Sequence, residues 1–117
     1  GKYFKAGVSV APVTDFRLYD TAYTERSMGL PQENKSGYDS TNVMTWMNRM
    51  KGSILLIHAI GDDNVHSQNT THFVQSALRA EKDVEWLIYP NRNHGIYGGG
   101  AREHLYKKMI DFFNEKL

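Results

Sequence analysis

The sequence predicts an α/β fold of about three parallel strands flanked by helices. Three observations lead there. Short, nearly continuous apolar runs occur at 4–13, 53–60 and 84–89. Runs of that length bounded by Pro or Gly read as buried strands. Segments with helical apolar spacing alternate with them, and such alternation favours parallel strands joined by right-handed crossovers. In sheets of this kind ligands gather beyond the carboxyl ends of the strands.

The first strand is expected over Phe4 to Val13, rich in Val and Ala and interrupted by Pro12. It starts so close to Gly1 that an earlier piece of the domain is expected upstream. Residues 14–40 are polar, aromatic and irregular. A short helix near Phe16 to Tyr23 is expected there, and a long loop for the rest. Ser40 or Thr41 is placed to cap a helix running to Lys51. Its apolar positions are Val43, Met44, Trp46, Met47 and Met50, and Gly52 is expected to end it.

The second strand is expected over Ser53 to Ile60, followed by a polar turn, Gly61 to Val65. A helix over Ser67 to Ala80 would carry Phe73, Val74, Ala77 and Leu78 on one face. The third strand, Val84 to Tyr89, stops at Pro90. A glycine-rich loop over 91–100 leads to an amphipathic helix, Ala101 to Leu117. Its apolar positions are Leu105, Tyr106, Met109, Ile110, Phe113 and Leu117.

The 117 residues suffice for one domain, and the hydrophobic (40%) and charged (23%) shares are those of a folded globular chain. A net charge of +1 gives no footprint for nucleic acid or an anionic membrane surface. Apolar runs such as Ile54-Leu55-Leu56-Ile57 fall far short of the ~20 residues that cross a bilayer. The chain has no cysteine, which excludes disulfides and thiolate metal sites. No His pair has metal-ligand spacing and no phosphate-binding glycine loop precedes a helix, so no metal or cofactor is expected.

Two turns could carry chemistry. Gly61-Asp62-Asp63-Asn64-Val65-His66 follows the second strand. Asp and Asn there can simply cap a turn, or Asp62 can serve as a catalytic acid. Asn93-His94-Gly95 follows the third strand. His94 can be a surface residue of a flexible loop, or a base that meets Asp62 at the same sheet edge. Acid after one strand and base after the next fits the chain order Ser, Asp, His of a nucleophile triad. An imidazole suits the removal of a hydroxyl proton near neutral pH, and the carboxylate would orient it.

A nucleophile elbow reads Gly-x-Ser-x-Gly between strand and helix. Gly7-Val8-Ser9-Val10-Ala11 imitates it but lies inside the first strand, and Pro12 follows. Ser9 is therefore not expected to act. Among the other histidines, His58 is expected to be packed, His66 to pair with backbone near the acid turn, and His72 and His104 to be exposed.

These residues resemble the end of the catalytic domain in the prolyl oligopeptidase family. The likeness is carried by Val10-Ala11-Pro12-Val13, Tyr19-Asp20, Tyr23-Thr24-Glu25-Arg26 and Met28-Gly29-Leu30-Pro31. Leu55-Leu56-Ile57-His58, Asp62-Asp63-Asn64-Val65-His66 and His94-Gly95-Ile96 follow in the same order. Ala59 stands where relatives usually have Gly. The resemblance implies the C-terminal part of an α/β-hydrolase, with Asp62 as triad acid and His94 as triad base. It implies that Asn64 holds a substrate carbonyl. It implies an apolar pocket of Val13, Phe16, Tyr19, Tyr23 and Val65 for the residue before the scissile bond.

The resemblance further implies a parent serine peptidase that cuts after Pro or Ala and releases N-terminal dipeptides. An acylaminoacyl peptidase, an oligopeptidase of the same family and a non-catalytic binding module remain alternatives. The serine, the oxyanion-hole tyrosine and a β-propeller would lie upstream. The expected partners are a peptide substrate, the upstream part of the same chain and a second copy paired through the open first strand. The compartment stays open, and the likeness is compatible with a periplasmic or cell-surface parent.

Overall fold

The computed structural model describes residues 3–90 and 92–117, so Asn91 at the start of the glycine-rich loop lies outside the described residues. Strands β1 (Ala6–Val10), β2 (Ser53–Ala59) and β3 (Val84–Tyr89) form one parallel sheet in the order β1-β2-β3. Val8 is opposite Leu55, and Leu55 is opposite Glu85.

The central strand explains the two layers. Successive side chains of a strand point to opposite faces. Leu55, Ile57 and Ala59 therefore pack on one side with Tyr89, Ile96, Leu105 and Phe112. Leu56 packs on the other with Met47, Phe73, Val74 and Ala77. Each of these Leu and Ile side chains contributes about 1.5–3 kcal/mol by leaving water. Helix α4 (Ala101–Lys116) covers the first face, and α3 (Gln68–Arg79) covers the second.

β2, α3, β3 and α4 lie where the sequence predicts them, each within one residue at either end. The N-terminal half differs. β1 is half as long as the apolar run, because Ala11 adopts φ +50° and Pro12 follows; Tyr3 and Phe4 are exposed. Residues 14–40 hold more than a loop. A 3-10 turn spans Phe16–Leu18, and helices α1 (Thr21–Met28) and α2 (Lys35–Thr41) follow. The next segment is a 3-10 helix, Val43–Arg49, capped by Asn42 rather than by Ser40 or Thr41. It ends before Gly52, which turns the chain at φ +88° close against the Lys5 carbonyl.

Two apolar faces are narrower than their sequence pattern. In α3, Leu78 points to solvent at 55% exposure, and Asn69 and Thr70 are buried instead. In α4, Ala101, Leu105 and Phe112 are buried, whereas Tyr106, Ile110 and Leu117 are exposed. No helix among the described residues is long and apolar enough to cross a membrane.

Candidate active site

β2 and β3 run parallel, so the turns after Ala59 and Tyr89 emerge at the same edge of the sheet. Asp62 and His94 leave from those turns. His94 Nδ1 lies 2.9 Å from Asp62 Oδ2. Asp62 is buried, while the His94 side chain is 47% exposed. A carboxylate only accepts, so Nδ1 carries the hydrogen. That leaves Nε2, on the far side of the ring, as the basic nitrogen.

The other oxygen of Asp62 shapes the turn. Oδ1 accepts from the N–H of Asn64 at 2.9 Å and of Val65 at 2.8 Å. The carboxylate therefore does two structural jobs at once. One oxygen caps the backbone and the other holds the imidazole. Burial pushes the Asp62 carboxyl up; the hydrogen bonds from His94, Val65 and Asn64 outweigh it and hold the group below the usual carboxylate range.

The loop that carries His94 is fixed at three points. Ile96 is fully buried in the core and adopts φ +52°, a left-handed conformation costly for a β-branched residue. Its N–H donates to the Asn93 carbonyl at 3.0 Å. The Tyr97 ring lies over Gly95, where a Cβ would fall 2.4 Å from a ring carbon. The Arg102 guanidinium sits 4.0 Å from the centre of that ring.

The residues expected to bind substrate are partly brought together. Tyr19 donates its phenol hydrogen to Asn64 Oδ1 at 2.9 Å. Tyr23 meets Tyr19 edge to face, with ring centres 5.5 Å apart. Tyr19, Asp20, Asp63 and Asn64 line an open cleft of about 370 Å³. Val65 is buried beside the acid, and Phe16 is half-buried in its 3-10 turn. Val13 lines a different cavity, of about 490 Å³, with Pro12, Trp46, Met47 and Phe73. Ser9 also lines that cavity, which includes neither Asp62 nor His94.

Two contributors went unread, or only partly read, in the sequence. Asn69, fully buried, accepts from the N–H of Thr14 at 3.0 Å and of Asp15 at 3.3 Å. Its Nδ2 donates to the His66 carbonyl at 2.9 Å. It thus ties the tyrosine-bearing segment to the end of the acid turn. The second signal was partial: His58 is packed as expected, but it also touches Asp62, with Nε2 3.3 Å from Oδ2, and it rests on Thr70. His66 accepts at Nδ1 from the Gln68 N–H, the expected pairing with backbone. His72 and His104 are exposed, and His104 meets the Tyr89 hydroxyl.

The sequence profile of the prolyl oligopeptidase family matches residues 1–117. The chain belongs to the prolyl oligopeptidase family. Among its relatives, probable dipeptidyl-aminopeptidase B of Colletotrichum graminicola is 43% identical over 115 residues, covering 96% of this chain and 12% of that protein. Mouse prolyl endopeptidase FAP is 37% identical over 115 residues, covering 96% of this chain and 15% of that protein. The crystal structure of dipeptidyl peptidase 4 from Porphyromonas gingivalis matches with a TM-score of 0.94 at 43% identity, over 97% of this chain and 16% of that one. The three parallel strands and their helices are those of this α/β-hydrolase-type family. The chain spans about an eighth of the length of these curated relatives.

Proposed function

We propose that this chain supplies the acid and the base of a Ser-His-Asp triad in a serine peptidase of the dipeptidyl peptidase type. The observation that carries the reading is the 2.9 Å contact between Asp62 Oδ2 and His94 Nδ1, with a partly exposed ring beyond it. The serine would come from a part of the polypeptide outside these 117 residues, in keeping with the small share of each relative that the chain covers.

In this mechanism His94 Nε2 takes the serine hydroxyl proton as the oxygen attacks the scissile carbonyl. The same nitrogen then gives the proton to the leaving amine, and the acyl-enzyme is released by water along the same path. Asp62 holds the ring in the Nδ1–H tautomer and stabilises the imidazolium that forms. Asn64 lies in the Asp62 turn, and the Tyr19–Tyr23 pair is joined to it by the Tyr19 hydrogen bond. A proline ring before the scissile bond suits such an aromatic wall, because it has little rotamer freedom to lose. Preference for Pro or Ala and release of N-terminal dipeptides follow from this reading.

The test is hydrolysis of a chromogenic Gly-Pro anilide. The intact polypeptide turns it over and loses that activity with His94→Ala. The 117-residue chain alone is inactive. An intact polypeptide without activity, or turnover by the chain alone that Ser9→Ala abolishes, overturns the proposal.

A second reading, an endopeptidase, is favoured by the likeness to prolyl endopeptidase FAP. An N-acylated Gly-Pro substrate separates the two. Cleavage of the blocked substrate supports the endopeptidase, and a strict need for a free amine supports dipeptide release.

A further inference from the structure

We propose that His58 is a positioning residue for the catalytic acid, a second imidazole that pins the oxygen His94 uses and the turn that carries it. The proposal rests on the reading of Asp62 and His94 as acid and base.

His58 is fully buried near the end of β2, on the α3 side of the sheet with Leu56. Its Nε2 lies 2.6 Å from the Val65 carbonyl oxygen and 3.3 Å from Asp62 Oδ2. Both neighbours only accept, so Nε2 carries the hydrogen and donates it to the Val65 carbonyl, with Asp62 Oδ2 in close electrostatic contact. Nδ1 lies 2.7 Å from Thr70 Oγ1, and the threonine hydroxyl has a hydrogen to give. Both nitrogens of this buried ring are therefore used, with Nε2–H donating to Val65 and Nδ1 accepting from Thr70.

The consequence is geometric. Asp62 Oδ1 is held by two backbone N–H groups of its own turn. Those bonds alone leave Oδ2 free to swing out of the plane that His94 needs. The His58 ring, 3.3 Å from Oδ2, limits that swing. Its bond to the Val65 carbonyl closes the same turn from the other end, and Thr70 anchors the ring to α3. Asp62 thus receives two N–H groups on one oxygen and the His94 imidazole on the other, against which the His58 ring rests.

The test is ¹⁵N NMR of the histidine-labelled chain at a pH where the His94 ring is neutral, reading its tautomer. The wild-type ring is the Nδ1–H form. His58→Leu keeps an apolar volume and removes the Nε2–H donor together with the Nδ1 acceptor. The ratio of tautomers should then move about five-fold toward Nε2–H, the size of one lost neutral hydrogen bond. His58→Gln, which returns a donor, should recover most of that change. If His58→Leu does not fold, Thr70→Val removes only the hydroxyl behind the ring and should shift the ratio in the same direction. A folded variant with the wild-type ratio, or a shift toward Nδ1–H, overturns the proposal. A wild-type ring that is not Nδ1–H overturns the acid–base reading itself, which keeps the two failures distinct.

Discussion

Gly61 packs directly against the backbone of Arg92, so closely that a Cβ on Gly61 would fall 2.7 Å from the Arg92 carbonyl oxygen. The residue before the acid thus touches the strand-end loop two positions before the base. Gly61→Ala must push these backbones apart, and Asp62 and His94 ride on them. Misplacing a catalytic group by about 1 Å can cost ~100-fold. We expect kcat of the intact peptidase to fall between about 10- and 100-fold while the chain stays folded. Kinetics on a Gly-Pro anilide, alongside circular dichroism, check this.

Asp62→Asn keeps the shape of the turn, because an amide oxygen can still accept from Asn64 and Val65. It removes the acceptor for His94 Nδ1–H and favours the wrong tautomer. In a triad of this kind that change lowers kcat by ~10⁴-fold. A fall of less than about 10-fold would show that Asp62 does not orient the base.

The same carboxylate links stability to acid pH. Its folded-state value is held below the ordinary one of about 3.9. A group depressed in this way stabilises the fold fully above its unfolded value, and the contribution is lost as pH falls through the folded value. The urea midpoint of the wild type should therefore exceed that of Asp62→Asn near neutrality. The gap should narrow as pH falls below about 4. Midpoints measured down to strongly acid pH decide it, and a gap that widens in acid would contradict the assignment.

Tyr19→Phe removes the hydrogen bond to Asn64 Oδ1 and leaves the ring that meets Tyr23. The bond is exposed, so folding stability should change by less than about 1 kcal/mol. Substrate binding should suffer more, because Asn64 loses the contact that aims its side chain into the cleft. We expect KM to rise about 3- to 10-fold with kcat nearly unchanged. Equal losses in kcat would place Tyr19 in the chemistry rather than in binding.

The parts of this molecule legible in the sequence are those governed by apolar period. β2 and β3 are short apolar runs, and α3 and α4 carry helical spacing, so their bounds could be read within a residue. The meeting of Asp62 and His94 was legible for a topological reason: parallel neighbours deliver their following turns to one edge. Helices α1 and α2 were not legible, because each buries a single residue, Thr24 and Tyr38. What starts them is capping, by Asp20 and Asn34, and a lone cap without a periodic face is a weak signal. The contact of His58 with Asp62 was hidden for another reason. It depends on a carbonyl, that of Val65, whose direction is set only once the turn has formed.

Finally, β1 should draw a second copy of the isolated chain. Among the described residues β1 pairs on one side only, with β2. β3 is also an edge, but Asp83 and Glu85 beside it, held by Lys116, give it the charge that discourages edge pairing. β1 reads Ala-Gly-Val-Ser-Val and carries no charged side chain within the strand. Its side chains remain part-exposed, although strands of a parallel sheet are ordinarily covered on both faces. The 490 Å³ cavity beside it is walled by Val13, Trp46, Met47 and Phe73. In the intact peptidase the rest of the polypeptide would cover this edge. In the isolated chain the same backbone donors and acceptors are open to another chain. Light scattering should therefore report a concentration-dependent dimer, and Val10→Lys, which puts a charge on the exposed end of the strand, should return it to monomer. A strictly monomeric mass at high concentration would mean that the edge is closed by residues of the chain itself.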